Sequence, residues 1–288
     1  MAIAAEKGGA VVVTGASSGI GRAIALELAA KGRLVLGTVR KEDDRRELLD
    51  LGLPKLVPLL YDLNHREELP GLVARVEAEL ENRGEEGLFA LINNAGGSMV
   101  GPIELADTNE LSRQFDARVV GSISLVQAFL PAIRRGRGRI LWIATPGLMP
   151  TPWVAGIHAA DFAVNCLART LSLELGREGP PVILVRRGGI KTRAGMATRK
   201  DLEAGLAKVG PDGRARYEKR LERWLASMEA FDGKRSEAAL VGELVGRILR
   251  EDRPKSRYRV GYLAAAAALL ESLPQVLTDR ILAARFAE

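Results

Sequence analysis

The chain has 288 residues, 47% of them hydrophobic and 27% charged, and is long enough to bury one large core. Its lone cysteine, Cys166, excludes an intrachain disulfide. A net charge of +6, from 42 basic and 36 acidic residues, suits an anionic ligand such as a nucleotide phosphate but is too even a balance to favour nucleic acid as a partner.

In chain order, Met1–Lys7 has neither a basic start nor a long apolar core, so no signal peptide and a cytoplasmic home are expected. Ala10–Val13 reads as a buried strand and runs into Thr14-Gly15-Ala16-Ser17-Ser18-Gly19-Ile20-Gly21, then an amphipathic helical pattern over Arg22–Lys31. Apolar, β-branched runs recur at Leu34–Val39, Leu56–Tyr61, Phe89–Ile92, Arg139–Ala144 and Val182–Arg186. Helical patterns lie between them, at Arg45–Asp50, Leu69–Asn82, Glu110–Arg134 and Val154–Arg177. Such alternation predicts an α/β fold, a Rossmann-type doubly wound parallel sheet with helices on both faces. Ligands then bind beyond the C-terminal ends of the strands.

After Lys191 the pattern is helical and rich in charge: Lys200–Val209, a turn at Gly210-Pro211-Asp212-Gly213, Arg214–Phe231 and Ser236–Arg250. Pro254–Gly261 is extended, and further helices run to the end. The apolar stretch Leu263–Leu270 is far short of the roughly 20 residues a membrane span needs, so no transmembrane segment is expected. One domain is predicted, with residues 1–192 as a dinucleotide-binding core and 193–288 as a helical, substrate-side extension.

Gly15, Gly19 and Gly21 stand between a strand and a helix, where a backbone must turn tightly and approach a pyrophosphate closely. The helix start offers free N–H groups and a positive dipole end, and Ser17 and Ser18 can add hydroxyl donors. The second strand ends without the acid that NAD binders use for the ribose hydroxyls and is followed by Arg40-Lys41. Two cations there suit a 2′-phosphate, so NADP(H) is favoured over NAD(H).

With these residues the chain resembles the short-chain dehydrogenases/reductases, particularly the extended subset similar to 17β-hydroxysteroid and retinol dehydrogenases. The resemblance spans essentially the whole chain. It implies cofactor contacts from Gly15, Ser17, Ser18, Gly19, Ile20 and Gly21, and from Asp62-Leu63 at the adenine. It also implies roles for Asn93-Asn94-Ala95-Gly96 and for Gly188-Gly189-Ile190-Lys191-Thr192, with Gly188 and Ile190 at the cofactor and Thr192 at its carboxamide. Arg187 replaces the family's proline in that last segment.

The family reaction needs a tyrosine as proton donor, whose pKa of about 10 is brought down by a nearby lysine cation. It also uses a serine on the substrate oxygen and an asparagine that holds a relay water. Aligning the fifth strand, Gly147 and Phe162 without a gap puts Ala144 at the serine, Ile157 at the tyrosine and Asp161 at the lysine. The segment from Phe115 to Gly121 places Arg118 at the asparagine. All four positions are thus replaced, and no usual catalytic residue remains. A register shifted by one would offer His158 and Thr145 as substitutes, although helical neighbours point about 100° apart. Arg118 and Asp161 are expected to form a salt bridge across the former relay, the alternative being two separate solvated charges.

Three functions follow. The first is a non-catalytic NADP(H)-binding scaffold or sensor that presents a surface to a protein partner. The second is an NADP(H)-dependent oxidoreductase of carbonyls and alcohols by a non-standard route. The third is a redox-neutral cyclase or isomerase that reuses the pocket with Arg118, His158 or Asp161. The resemblance implies a homodimer or homotetramer through Glu110–Arg134 and Val154–Arg177. Trp153, Met149 and Met196 are placed along an apolar cleft suited to a small hydrophobic ligand, and no metal site is expected.

Overall fold

Seven strands, all parallel, form one sheet in the order β3-β2-β1-β4-β5-β6-β7. They are β1 (Ala10–Val13), β2 (Val35–Val39), β3 (Leu56–Leu60), β4 (Leu88–Asn93), β5 (Arg139–Ala144), β6 (Val182–Arg187) and β7 (Arg257–Val260). This computed structural model describes residues 9–97, 99–145, 150–192 and 211–286. The expected helix Lys200–Val209, and Met149 and Met196, lie outside the described residues.

Burial on both faces explains why the strands are unbroken apolar runs. Successive side chains alternate, so Val11 and Val13 join one core while Ala10 and Val12 join the other. The first core packs under α1 (Gly19–Ala30), α2 (Glu42–Leu49) and α8 (Ala239–Arg250), through Ile24, Leu28, Leu48, Val245 and Ile248. The second packs under α3 (Leu69–Asn82), α5 (Gly121–Arg135) and α6 (Ala155–Leu175), through Leu72, Val76, Leu125, Phe129 and Val164. Fully burying one such side chain contributes about 1.5–3 kcal/mol.

Three departures from the sequence reading have local causes. The helix expected over Glu110–Arg134 is α4 (Thr108–Phe115), a π-helical turn over Asp116–Val120, then α5. Asp107 caps its start by accepting from the amides of Asn109 and Glu110. By length and composition Thr108–Arg135 could cross a membrane, but Leu125, Phe129 and Ile133 are buried on the sheet, as in a core helix. The turn read at residues 210–213 is already helix from its second residue, because α7 runs Pro211–Asp232 and proline suits a first helical turn. Finally, the extended stretch before Gly261 docks as β7 on the edge of β6, followed by α9 (Ala264–Leu270) and α10 (Gln275–Phe286).

Candidate active-site cleft

A cleft of about 610 Å³ opens along the C-terminal ends of the strands. Its floor is the turn between β1 and α1. Gly15 and Gly19 have φ of +70° and +56°, a region L side chains rarely adopt. Gly21 is needed for room instead: a Cβ there would lie 2.0 Å from the Gly15 carbonyl oxygen and 2.6 Å from Asn94 Nδ2. Ser18 is the extended N-cap of α1, makes no side-chain capping bond, and the first turn carries no acid. The amides that open α1 are therefore left for an anion.

The β4 end is stitched to this turn. Thr14 Oγ1 accepts from the amides of Asn94 and Ala95, each at 2.9 Å, and Asn94 Nδ2 donates to the Thr14 carbonyl at 3.0 Å. Thr38 Oγ1 accepts from the Gly15 amide at 3.3 Å. On the far side, a Cβ on Gly19 would meet Thr192 Cγ2 at 3.2 Å, so the loop after β6 closes onto the turn.

Of the residues expected to hold a dinucleotide, Gly15, Ser17, Ser18, Gly19, Ile20, Arg40, Asp62, Leu63, Asn94, Ala95, Gly96 and Thr192 line the cleft. Gly21, Lys41, Asn93, Gly188 and Ile190 do not. Gly21 packs the turn, Lys41 is an exposed N-cap of α2, and Asn93 and Ile190 are buried. Gly188 lies against the Tyr262 carbonyl, where a Cβ would approach to 2.1 Å. Arg40 is exposed and has no hydrogen-bond or ion-pair partner among the described residues, whereas Arg22 nearby is held by Glu47 at 2.6 Å.

At the inner end Arg118 meets Asp161. Arg118 Nε donates to Asp161 Oδ1 at 2.6 Å and a second guanidinium nitrogen stands 2.5 Å from the same oxygen. Asp161 is fully buried, and its Oδ2 accepts from the Thr145 amide at 2.8 Å. The Arg118 guanidinium also donates to the carbonyls of Asn94 and Ala95, each at 3.2 Å, and of Ile143 at 2.6 Å. The expected salt bridge is therefore present and closed: the guanidinium makes five contacts to acceptors, and the carboxylate receives three from donors. Ile157 lines the cleft, and Ala144 is buried at the end of β5. Neither carries a proton to exchange.

The shifted pair lies elsewhere. His158 borders a second, largely apolar cavity of about 900 Å³ with Trp153, Phe162 and Leu282, turned away from Ile157 as helix geometry requires. Thr145 does not line the cleft; its amide serves Asp161. Trp153 also borders the second cavity and packs edge-on against Tyr217, with ring centroids 5.7 Å apart.

Three cleft residues were not read as site residues from sequence. Arg187, at the end of β6, is half-buried and has no hydrogen-bond or ion-pair partner among the described residues. Burial draws its guanidinium below the usual arginine value; the Asp161 charge opposes this, while Arg118 and Arg235 add to it. Trp224 reaches the cleft from α7, 4% exposed, with an indole N–H that has no partner among the described residues. Gln114 donates to Glu110 at 3.1 Å but leaves its buried Oε1 unpaired among them.

Comparisons agree with this architecture. Residues 9–203 match the family model described as short chain dehydrogenase, and the chain belongs to that family of oxidoreductases. It is 29% identical over 283 residues to an NADPH-dependent 3-dehydrocapnine reductase of Ornithobacterium rhinotracheale, covering 94% of this chain and 93% of that protein. It is 27% identical over 280 residues to retinol dehydrogenase 7 of Rattus norvegicus, covering 94% and 87%. The crystal structure of a short-chain dehydrogenase from Streptomyces avermitilis superposes with a TM-score of 0.73 at 25% identity, covering 98% of this chain and 99% of that one.

The residues present suit the dinucleotide that this family binds. The uncapped α1 start and the tight turn at Gly15 and Gly19 leave backbone donors open to a pyrophosphate at the floor of the cleft.

Proposed function

We propose that this chain is an NADP(H)-binding family member whose proton relay has become a structural ion pair, and that it works as a non-catalytic scaffold or sensor. The observation that carries this reading is the Arg118–Asp161 pair, with both side chains engaged in holding the fold. Arg40 supports NADP(H) over NAD(H), as does the NADPH dependence printed in the name of the O. rhinotracheale relative. Bound NADPH would supply a hydride. Transfer to a carbonyl also needs a proton; Ala144 and Ile157 have none to give, and Arg118 and Asp161 are engaged with each other. Exposed Val120, Leu167 and Leu173 near and along α5 and α6 support a homodimer or homotetramer.

A second reading, slow carbonyl reduction or alcohol oxidation without the usual acid, is favoured by the names of the two relatives. Losing general acid–base help lowers rates by about 10²–10⁴-fold. Titration of dihydronicotinamide fluorescence separates the cofactors, and NADPH should bind at least about tenfold more tightly than NADH through one phosphate–guanidinium contact. NADPH oxidation over a broad carbonyl panel should then match the protein-free blank. Binding of neither nucleotide would sink both readings. Turnover near the enzyme median of about 10 s⁻¹ would sink the first.

A further inference from the structure

Three arginines surround the inner end of the cleft: Arg118, Arg187 and Arg235. Two have their own carboxylates. Arg118 is paired with Asp161, and Arg235 Nε donates to Asp232 at 2.5 Å while a terminal nitrogen donates to the Ile190 carbonyl at 3.3 Å. Glu229 also lines the cleft but is engaged by other contacts. Among the described residues the half-buried Arg187 makes no hydrogen bond or ion pair, and Asp161, whose charge it feels, is already held by Arg118. A guanidinium so placed is unfavourable unless an anion completes it.

Part of the cleft lining is apolar. Trp224, Leu225, Met228, Val154 and Ile157 border the same cleft. Within that wall, the buried Trp224 N–H is a donor with no acceptor among the described residues. A guanidinium without a partner among the described residues, in a cleft partly lined by apolar side chains, matches a small amphiphile with a single anionic head.

We propose that the inner cleft binds a monoanionic amphiphile, a carboxylate on an apolar chain, with Arg187 as its anchor. A monoanion is specified because one charge remains unpaired; a phosphate dianion would exceed it. An arginine fork accommodates a carboxylate through two parallel N–H···O bonds. The proposal shares the nucleotide cleft of the reading above but places its ligand beyond the glycine turn, so the two can fail separately.

The test uses the whole protein, sodium decanoate and 1-decanol below their aggregation limits, and tryptophan fluorescence checked by calorimetry. Wild type should bind decanoate at least about tenfold more tightly than decanol, since charge-assisted hydrogen bonds exceed neutral ones by that order. Arg187→Gln should reduce that ratio to near one while leaving decanol affinity unchanged. The wild-type ratio tests the proposal by itself, so a substitution that unfolds the chain leaves it open to refutation. Equal binding of decanoate and decanol by wild type overturns the proposal. So does an Arg187→Gln protein that keeps the preference, or one in which only NADPH affinity falls, which would assign Arg187 to the cofactor. A decanoate preference in a protein that binds no nucleotide would uphold the anion site and overturn the cofactor reading alone.

Discussion

Breaking the Arg118–Asp161 pair from one side should cost more than its share of removing the pair altogether. Arg118→Ala leaves Asp161, with no solvent exposure, holding a charge with the Thr145 amide as its hydrogen bond and only the more distant Arg187 charge to oppose it. Removing one partner of a buried pair costs about 3–5 kcal/mol, and this substitution belongs at the top of that range. Asp161→Ala leaves a guanidinium that still donates to three carbonyls, so it belongs near the lower end, about 3 kcal/mol. The double Ala variant leaves neither charge of the pair, only a cavity and unpaired backbone groups. It should be about 2–3 kcal/mol more stable than the sum of the single losses implies, the upper range for directly contacting residues. Urea unfolding at neutral pH, followed by circular dichroism and tryptophan fluorescence with coincident transitions, measures each corner of the cycle. A coupling below about 0.5 kcal/mol would refute the reasoning, because the two charges would then be acting separately.

Gly21→Ala should abolish NADPH binding and destabilise the fold, since its Cβ would sit 2.0 Å from a backbone oxygen; Gly19→Ala, with φ +56° and a 3.2 Å contact to a threonine methyl, should cost only about 1–2 kcal/mol. A nucleotide titration of both variants beside their melting curves checks the order, which reversed would remove the packing argument. His65 is exposed, and its hydrogen bond to Glu67 at 3.0 Å raises its pKa, with the Glu67 charge adding to this. A raised folded pKa means that its contribution to stability is present below the unfolded value near 6.5, and is lost as pH rises through the folded one. Proton NMR should therefore find His65 titrating above about 6.5 in wild type and lower in Glu67→Gln; an identical midpoint in both would discard the contact. Combining Arg118→Asn, Ala144→Ser, Ile157→Tyr, Asp161→Lys and Arg187→Pro should create NADPH-dependent carbonyl reduction, about 10²-fold or more above wild type in a stopped-flow assay. A folded, NADPH-binding quintuple variant with no gain would show that the loss of activity lies elsewhere than at these positions.

Much of this architecture was legible because it depends on short-range chemistry. Val11, Val12 and Val13 show a strand buried on both faces in their own composition, and the Gly15-to-Gly21 turn needs no distant residue to be recognised. Arg118 and Asp161 were legible as a pair only because both could be placed in register with motifs whose side chains meet in the fold. What depended on direction was less visible. His158 is one residue from Ile157, yet the helix turns it into a different cavity. Ile190 sits in the loop that closes the cleft, yet points into the core. Trp224 lies beyond any motif and enters the cleft through the packing of α7, by way of Tyr217 and Trp224 itself, on Trp153, with no local pattern to announce it. Pro211 reads as a turn beside two glycines, and only the hydrogen-bonded chain beyond it makes it a helix start.

The substitutions in the cleft make most sense together, as an unchanged sum of charge. On the resemblance drawn from the sequence, the inner end of the family site would carry one cation, the lysine, beside a neutral asparagine and proline. Here Asp161 replaces that cation with an anion, Arg118 neutralises it at 2.6 Å, and Arg187 restores a single positive charge at the end of β6. On that reading the single positive charge moves from α6 to the end of β6, still at the inner end of the cleft. Asp161 without Arg118 would be a buried, unpaired carboxylate, and the lysine beside Arg118 would be two buried cations; neither order of single changes is neutral. That coupling explains why Arg118 and Asp161 occur as a pair. It also explains why restoring the family residues requires Arg187 to be removed with them: leaving it in place would set two cations where the reaction uses one.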